Sequence, residues 1–296
     1  WKSPWGPGRP GWHIECSAMS RKYLGSTFDI HGGGQDLTFP HHENELAQSE
    51  GANDKPFVNM WIHHGFVTIR DEKMSKSLGN FLTIRDILAH YHPEVLRFFI
   101  FSTQYRNPLD FSEAAMQDAM TGLDRLYECI AATDALGSTH SDSVEAIATE
   151  KDIKTIESLE ERFQKAMNND FNTAQAQASL FETVKVINKI IRQLPEIPAT
   201  TDYSLLKSGA ANIIKLAAIM GIVQINATEY LAEKKAAMLA KTTISEAEIL
   251  TCIQERNQAR EDKNWGRSDE IRDELLALGI ELNDGPEGTT WGVKRN

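Results

Sequence analysis

The chain has 296 residues, 41% apolar and 25% charged, which suits two or three domains of an ordinary soluble globular protein. No window approaches about 18 uninterrupted apolar residues and the start is not a signal peptide, so secretion and membrane insertion have no support and the cytoplasm is the default compartment. A net charge of -11 requires any RNA contact to come from a local basic face, and three widely spaced cysteines, Cys16, Cys129 and Cys252, argue against a disulfide framework.

Trp1 to Gly11 carries Pro4, Gly6, Pro7, Gly8, Pro10 and Gly11 and reads as a loop with no element before it, as if the chain began in mid-fold. Phe28-Asp29-Ile30 then predicts a short buried strand running into the glycine turn His31-Gly32-Gly33-Gly34, and His41 to Gln48 after Pro40 predicts a helix. Val67-Thr68-Ile69 reads as a strand end and Asp71-Glu72 as a turn. Strand, glycine loop and helix together predict an α/β segment. From Ser112, a candidate N-cap, the pattern turns helical, with Ala119, Leu123, Leu126 and Ile130 three or four apart. Asp170-Phe171-Asn172-Thr173 offers further caps, and Leu180, Val184, Ile187, Ile191 and Leu194 form a seam for neighbouring helices. Glu229 to Thr243, rich in Ala and Lys, reads as a linker, helical or not. Beyond it, Ser245 and Glu248 make a capping box, helices are expected at roughly 246–263 and 266–278, and a strand is expected from Ile280 to Leu282. The fold class is therefore α/β followed by all-α and a small α/β module.

Three groups of residues carry candidate chemistry. Lys73-Met74-Ser75-Lys76-Ser77, followed by Leu78-Gly79-Asn80, places two lysines and two hydroxyls in a short loop, suited to swinging a cation onto a polyphosphate. His41 and Glu45, four apart on a predicted helix, point the same way and with Cys16 offer imidazole, carboxylate and thiolate to zinc. On spacing alone the same residues read more readily as a polar helix start and a small core cysteine. Arg256, Arg260 and Lys263 share one predicted helical face beside Trp265 and Arg267, where an RNA base could stack. A solvated charged face with a core tryptophan is the alternative there.

Lys73 to Ser77 match without substitution the signature loop of class I aminoacyl-tRNA synthetases. The segments Gly11 to Met19, His31 to Leu37, Phe39 to Glu45, His64-Gly65, Tyr105 to Ser112, Asp170 to Thr173 and Asp284 to Trp291 follow in order, and together they resemble the cysteinyl-tRNA synthetase family over essentially the whole chain. The resemblance implies the second half of a Rossmann-like class I catalytic fold, a helical-bundle domain and a small C-terminal anticodon-binding domain. It implies Zn2+ on Cys16, His41 and Glu45 with the substrate thiolate bound to the ion, and Trp12 as an aromatic wall beside the cysteine. Lys73 and Lys76 would be catalytic, while Gly33, Gly34, Asp36 and Lys76 would bind ATP, taken with Mg2+ as substrate. Arg260, Trp265, Asp269 and Asp284 would meet the anticodon.

On the same basis residues 1–60 form the half-Rossmann segment with the zinc site. Residues 61–109 form a stem-contact region with the lysine loop, 110–230 a tRNA-binding helical bundle, 231–243 a linker and 244–296 the anticodon-binding domain. The expected function is ATP-dependent ligation of cysteine to its tRNA through a cysteinyl adenylate, by a monomer whose partners are the tRNA, cysteine and ATP. The family's His-Ile-Gly-His-type loop and an upstream zinc-binding cysteine do not occur in the chain, so the expectation is that this polypeptide alone cannot form the adenylate. Two alternatives stand beside it: a tRNA-recognition fragment without catalysis, and a cysteine ligase acting on a small aminosugar.

Overall fold

The computed structural model describes residues 1–69, 72–73, 82–240, 242–285 and 288–293, with the backbone alone at Glu72 and Lys73. The chain divides into two compact units, Trp1–Leu126 with Leu136–Ile222 and Tyr127–Ala135 with Val223–Asn296.

In the first unit, β1 (Lys2–Ser3) and β2 (Gly6–Pro7) form a small antiparallel pair ahead of α1 (Trp12–Leu24). Then β3 (Phe28–Gly34), a 3-10 turn at Gln35–Leu37, a π turn at Thr38–His42, α2 (Glu43–Asn53) and β4 (Val58–His64) make a βαβ unit. Its strands run parallel, with Ile30 opposite Met60 and His31 opposite Trp61. The strand expected to be buried is not: Ile30 is 54% exposed. Alternation along β3 sends His31 toward Glu45 of α2 and Ile30 to the opposite face, so only one face of the strand is packed. Next, β5 (Val67–Ile69) pairs antiparallel with β6 (Glu72–Lys73), and parallel with β7 (Leu109–Asp110), which follows α3 (Ile84–Leu88) and α4 (Pro93–Phe101).

The helical part begins with α5 (Glu113–Asp134), where Ser112 Oγ accepts from the Ala115 amide and Ala119, Leu123, Leu126 and Ile130 are all buried as their spacing predicts. It continues through α6 (Glu150–Glu157), α7 (Leu159–Asn168), α8 (Thr173–Ile191) and α9 (Thr200–Ile219). Asn172 caps α8 by accepting from the Gln175 amide, and Leu180, Val184 and Ile187 line its buried side. The far end of the seam differs from expectation. Ile190 rather than Ile191 takes the inward position, and Leu194 lies beyond the helix end.

In the second unit, α10 (Ala227–Leu239) runs through most of the stretch read as a linker; Asn226 caps it. There α11 (Glu246–Glu261) starts at the Ser245–Glu248 capping box, and α12 (Trp265–Ala277) leads into the hairpin of β8 (Ile280–Gly285) and β9 (Gly288–Val293). Ile249, Ile253, Ile271, Leu275 and Ile280 form its core, with Leu239, Cys252, Trp291 and Val293 packed around them. The order α/β, all-α, small α/β module is thus the observed one. Among the described residues no helix is long and apolar enough to cross a membrane.

Candidate functional site

Helix α1 and the π turn into α2 bring the zinc candidates together. The ligand atoms of Cys16, His41 and Glu45 all lie within 4.8 Å of one another. Glu45 is 0% exposed and His41 is buried. Glu45 Oε1 is 2.6 Å from His41 Nε2 yet has no hydrogen-bond partner. A carboxylate oxygen taken out of water without a donor is costly, and a cation shared with the imidazole and the thiol removes that cost. The donor set of sulfur, nitrogen and oxygen suits Zn2+, so these residues fit that ion. Burial, with the negative charges of Glu45 and Glu15, pushes the Cys16 thiol up from its ordinary value.

More histidines surround the cluster than pattern reasoning assigned. His31 Nε2 is 2.8 Å from Glu45 Oε2, His13 Nδ1 is 2.7 Å from His41 Nδ1, and His42 Nδ1 is 2.7 Å from His63 Nε2. His31, His42 and Glu45 also come within 4.8 Å of one another, but they share Glu45 with the first group. Burial, and then the charge on His31, lowers His42 to about 4, which keeps this imidazole neutral near pH 7. The available signal was density: six of the chain's nine histidines fall between positions 13 and 64.

Trp12 begins α1 at 66% exposure, with its ring centroid 5.2 Å from that of His41, so it stands beside the cluster rather than in the core. Gly33 and Gly34 end β3, and Asp36 sits in the 3-10 turn that follows. At both glycines an added side chain would crowd a neighbour. A Cβ on Gly33 would lie 2.9 Å from His42 Cε1, and one on Gly34 2.5 Å from Asp36 Oδ1. Lys73 contributes its backbone to β6, while Lys76 lies outside the described residues.

The basic face expected near the end of the chain is rearranged. Arg256 is 5% exposed and makes a fork with Asp284, Nη1 to Oδ1 at 2.8 Å and Nη2 to Oδ2 at 2.9 Å. Lys263 lies past the end of α11 at φ 57°, so Arg256, Arg260 and Lys263 do not share one solvent-facing stripe. Arg260 Nη1 reaches Asp284 Oδ2 at 3.0 Å, and Thr289 Oγ1 donates to Asp284 Oδ1 at 2.8 Å. The Asp284 carboxylate is therefore engaged on both oxygens; the Arg256 hydrogen bond, Thr289 and the two arginine charges hold it well below the usual carboxylate range, against a burial effect that raises it. Trp265 is 59% exposed at the first position of α12, not a core residue, and Asp269 is exposed one turn along the same helix.

Three family profiles match the chain. Residues 1–121 match tRNA synthetases class I (C) catalytic domain, residues 162–224 the DALR domain, and residues 246–291 the cysteinyl-tRNA ligase anticodon binding domain. Proteins named cysteine–tRNA ligase are similar throughout. That of Desulfotalea psychrophila is 62% identical over 295 residues, covering 100% of this chain and 60% of its own length. That of Syntrophotalea carbinolica is 51% identical over 297 residues, covering 99% and 60%, and that of Geobacter sulfurreducens is 48% identical with the same coverage. The chain thus spans 60% of the length of these relatives. Among solved structures, a chain of the ternary complex of Agrobacterium radiobacter K84 agnB2 LeuRS-tRNA-LeuAMS aligns with TM-score 0.52 at 16% identity, covering 68% of this chain and 28% of that one, a likeness of fold.

Proposed function

Because the chain belongs to the cysteinyl-tRNA synthetase family, we propose that the protein joins cysteine to its cognate tRNA in an ATP-driven reaction through a cysteinyl adenylate, with Cys16, His41 and Glu45 holding Zn2+. The observation that carries this reading is Glu45 Oε1, buried without a hydrogen-bond partner in a cluster with His41 and Cys16 whose ligand atoms lie within 4.8 Å of one another. Bound by these three side chains, Zn2+ supplies a preference for the substrate's thiolate over the hydroxyl of serine, a distinction too small for a pocket's shape to make.

The chain's own residues do the remaining work. His31 donates to Glu45 Oε2 and keeps the carboxylate aimed at the cluster, and Trp12 walls the amino-acid side of it. The carboxylate of cysteine attacks the α-phosphorus of Mg2+-bound ATP and pyrophosphate leaves; the terminal ribose of the tRNA then takes the acyl group and AMP is released. Gly33 and Gly34 bring backbone close to the nucleotide, and Asp36 takes the ribose hydroxyls. Lys76, helped by Lys73, neutralises charge building on the β- and γ-phosphates during attack.

Residues 1–60 form the catalytic segment in this reading, 61–109 the stem-contact region, 110–230 the helical bundle that meets the tRNA, 231–243 the connection and 244–296 the anticodon-binding domain. Trp265 offers an exposed ring for an unpaired base, with the exposed Arg260 and Asp269 as polar readers. The match of residues 246–291 to an anticodon-binding profile favours tRNA over a small aminosugar as the acceptor.

The test is zinc analysis of the full-length protein beside a Cys16→Ala variant, with pyrophosphate exchange driven by cysteine and by serine and charging of a cysteine tRNA. Zinc in the parent, its loss from the variant and weakened rejection of serine are expected. A zinc-free parent that still rejects serine would refute selection by the metal, and a parent that cannot charge the tRNA would refute the acceptor.

A further inference from the structure

The two ring nitrogens of His41 face different partners. Nε2 lies 2.6 Å from Glu45 Oε1 inside the ligand cluster, while Nδ1 lies 2.7 Å from Nδ1 of His13. We propose that His13 is a positioning residue that fixes His41 as a metal ligand through Nε2, an inference that rests on the zinc reading above. Two imidazole nitrogens at this distance share one proton: two N–H groups would repel, and so would two lone pairs. An imidazole that ligates through Nε2 carries its proton on Nδ1 and needs an acceptor there. His13 Nδ1 is that acceptor, which makes His13 the neutral tautomer protonated on Nε2.

The local structure holds His13 in place for this. It occupies the first turn of α1, three residues before Cys16, so the accepting nitrogen and the candidate thiol ligand lie on neighbouring positions of one helical face. Ser17 Oγ lies 3.0 Å from the His13 carbonyl and 2.9 Å from Gln48 Oε1, which fastens this turn of α1 to α2 beside the contact. The Trp12 ring stands beside both imidazoles, 6.4 Å from His13 and 5.2 Å from His41 between centroids. His31 holds one oxygen of Glu45 from the other side. Each buried ligand thus has an orienting imidazole of its own.

The experiment compares zinc affinity, by competition with a chromogenic chelator, in the full-length parent, His13→Leu and His13→Asn. Asn places its side-chain oxygen where His places Nδ1 and so keeps the acceptor. Affinity should fall by about 10- to 100-fold in His13→Leu and recover in His13→Asn. Long-range 15N–1H correlation of the zinc-loaded parent should find His41 protonated on Nδ1 and His13 on Nε2, a reading that stands even if the leucine variant does not fold. A folded His13→Leu that binds zinc as tightly as the parent, or a proton found on His13 Nδ1, overturns the inference while leaving the metal centre intact. A parent that binds no zinc overturns both.

Discussion

Arg256 and Asp284, 28 residues apart, meet as a fork in which both guanidinium Nη atoms donate to the two carboxylate oxygens, on an arginine with almost no exposed surface. This pair ties α11 to β8. Asp284→Ala leaves the Arg256 charge buried without a carboxylate, with only Thr289 Oγ1 still accepting from it at 3.3 Å, so we expect a loss of about 1–3 kcal/mol in urea unfolding of the second unit. Arg260, half exposed and touching only one Asp284 oxygen, is the cleaner probe of RNA contact. Arg260→Ala should weaken tRNA binding with an unchanged unfolding midpoint. Weakened binding in Asp284→Ala should track the unfolded fraction. Filter binding beside urea titration separates the two.

Glu45 should respond as a metal ligand rather than as an ordinary core carboxylate. Zinc at about 100-fold over its Kd stabilises a protein that binds it only when folded by about 2.7 kcal/mol. The parent should gain this on zinc addition and Glu45→Gln should gain nothing, since an amide oxygen carries no charge to offer the ion. Differential scanning calorimetry with and without zinc reads the difference. An equal gain in both would remove Glu45 from the ligand set.

What the sequence made legible follows from which interactions are local. Periodicity finds the buried side of α5 because Ala119, Leu123, Leu126 and Ile130 repeat at the helix's own spacing, and the Ser245–Glu248 box announces α11 because both halves lie within four residues. At Ile190-Ile191 two identical side chains sit side by side, so the pattern has no means of choosing which faces inward. The ligand trio was visible through the four-residue spacing of His41 and Glu45, but His13 and His31 reach those ligands across 28 and 14 residues. Helical periodicity places Arg256 on the face with Arg260 and Lys263 for the same reason: its partner arrives from a strand that this periodicity does not see.

Asp152 gives the first unit an acid limit. Burial alone would raise its carboxyl, but donation from the Lys189 ammonium at 2.8 Å and from Thr149 at the start of α6 outweighs that and lowers it from 3.8 to about 2. A lowered folded-state value means stability that is complete above the unfolded value and lost as pH falls through the window from 3.8 to about 2. The shift corresponds to about 2 kcal/mol. Asp152→Asn should therefore be less stable than the parent by about that amount at pH 6, and the gap should close toward pH 2. Urea midpoints measured across the range test it; a constant gap would assign the loss to the helix cap instead of the charge.

Gly33 and Gly34 adjoin in β3, yet their alanine variants should fail in different ways. The methyl of Gly33→Ala would press on His42 and on Leu37, 2.9 and 3.0 Å away, and His42 is buried and held by His63. That ring has nowhere to go, so overpacking of about 1–3 kcal/mol is expected, with zinc uptake reduced along with the fold. The methyl of Gly34→Ala instead meets the far end of one flexible side chain, Asp36 Oδ1, which has to shift. Stability should stay within about 0.5 kcal/mol, while the carboxylate proposed to take the ribose hydroxyls is displaced. KM for ATP should rise in pyrophosphate exchange by the full-length enzyme, with zinc content unchanged. An unaltered KM in a folded Gly34→Ala would remove Asp36 from the nucleotide site.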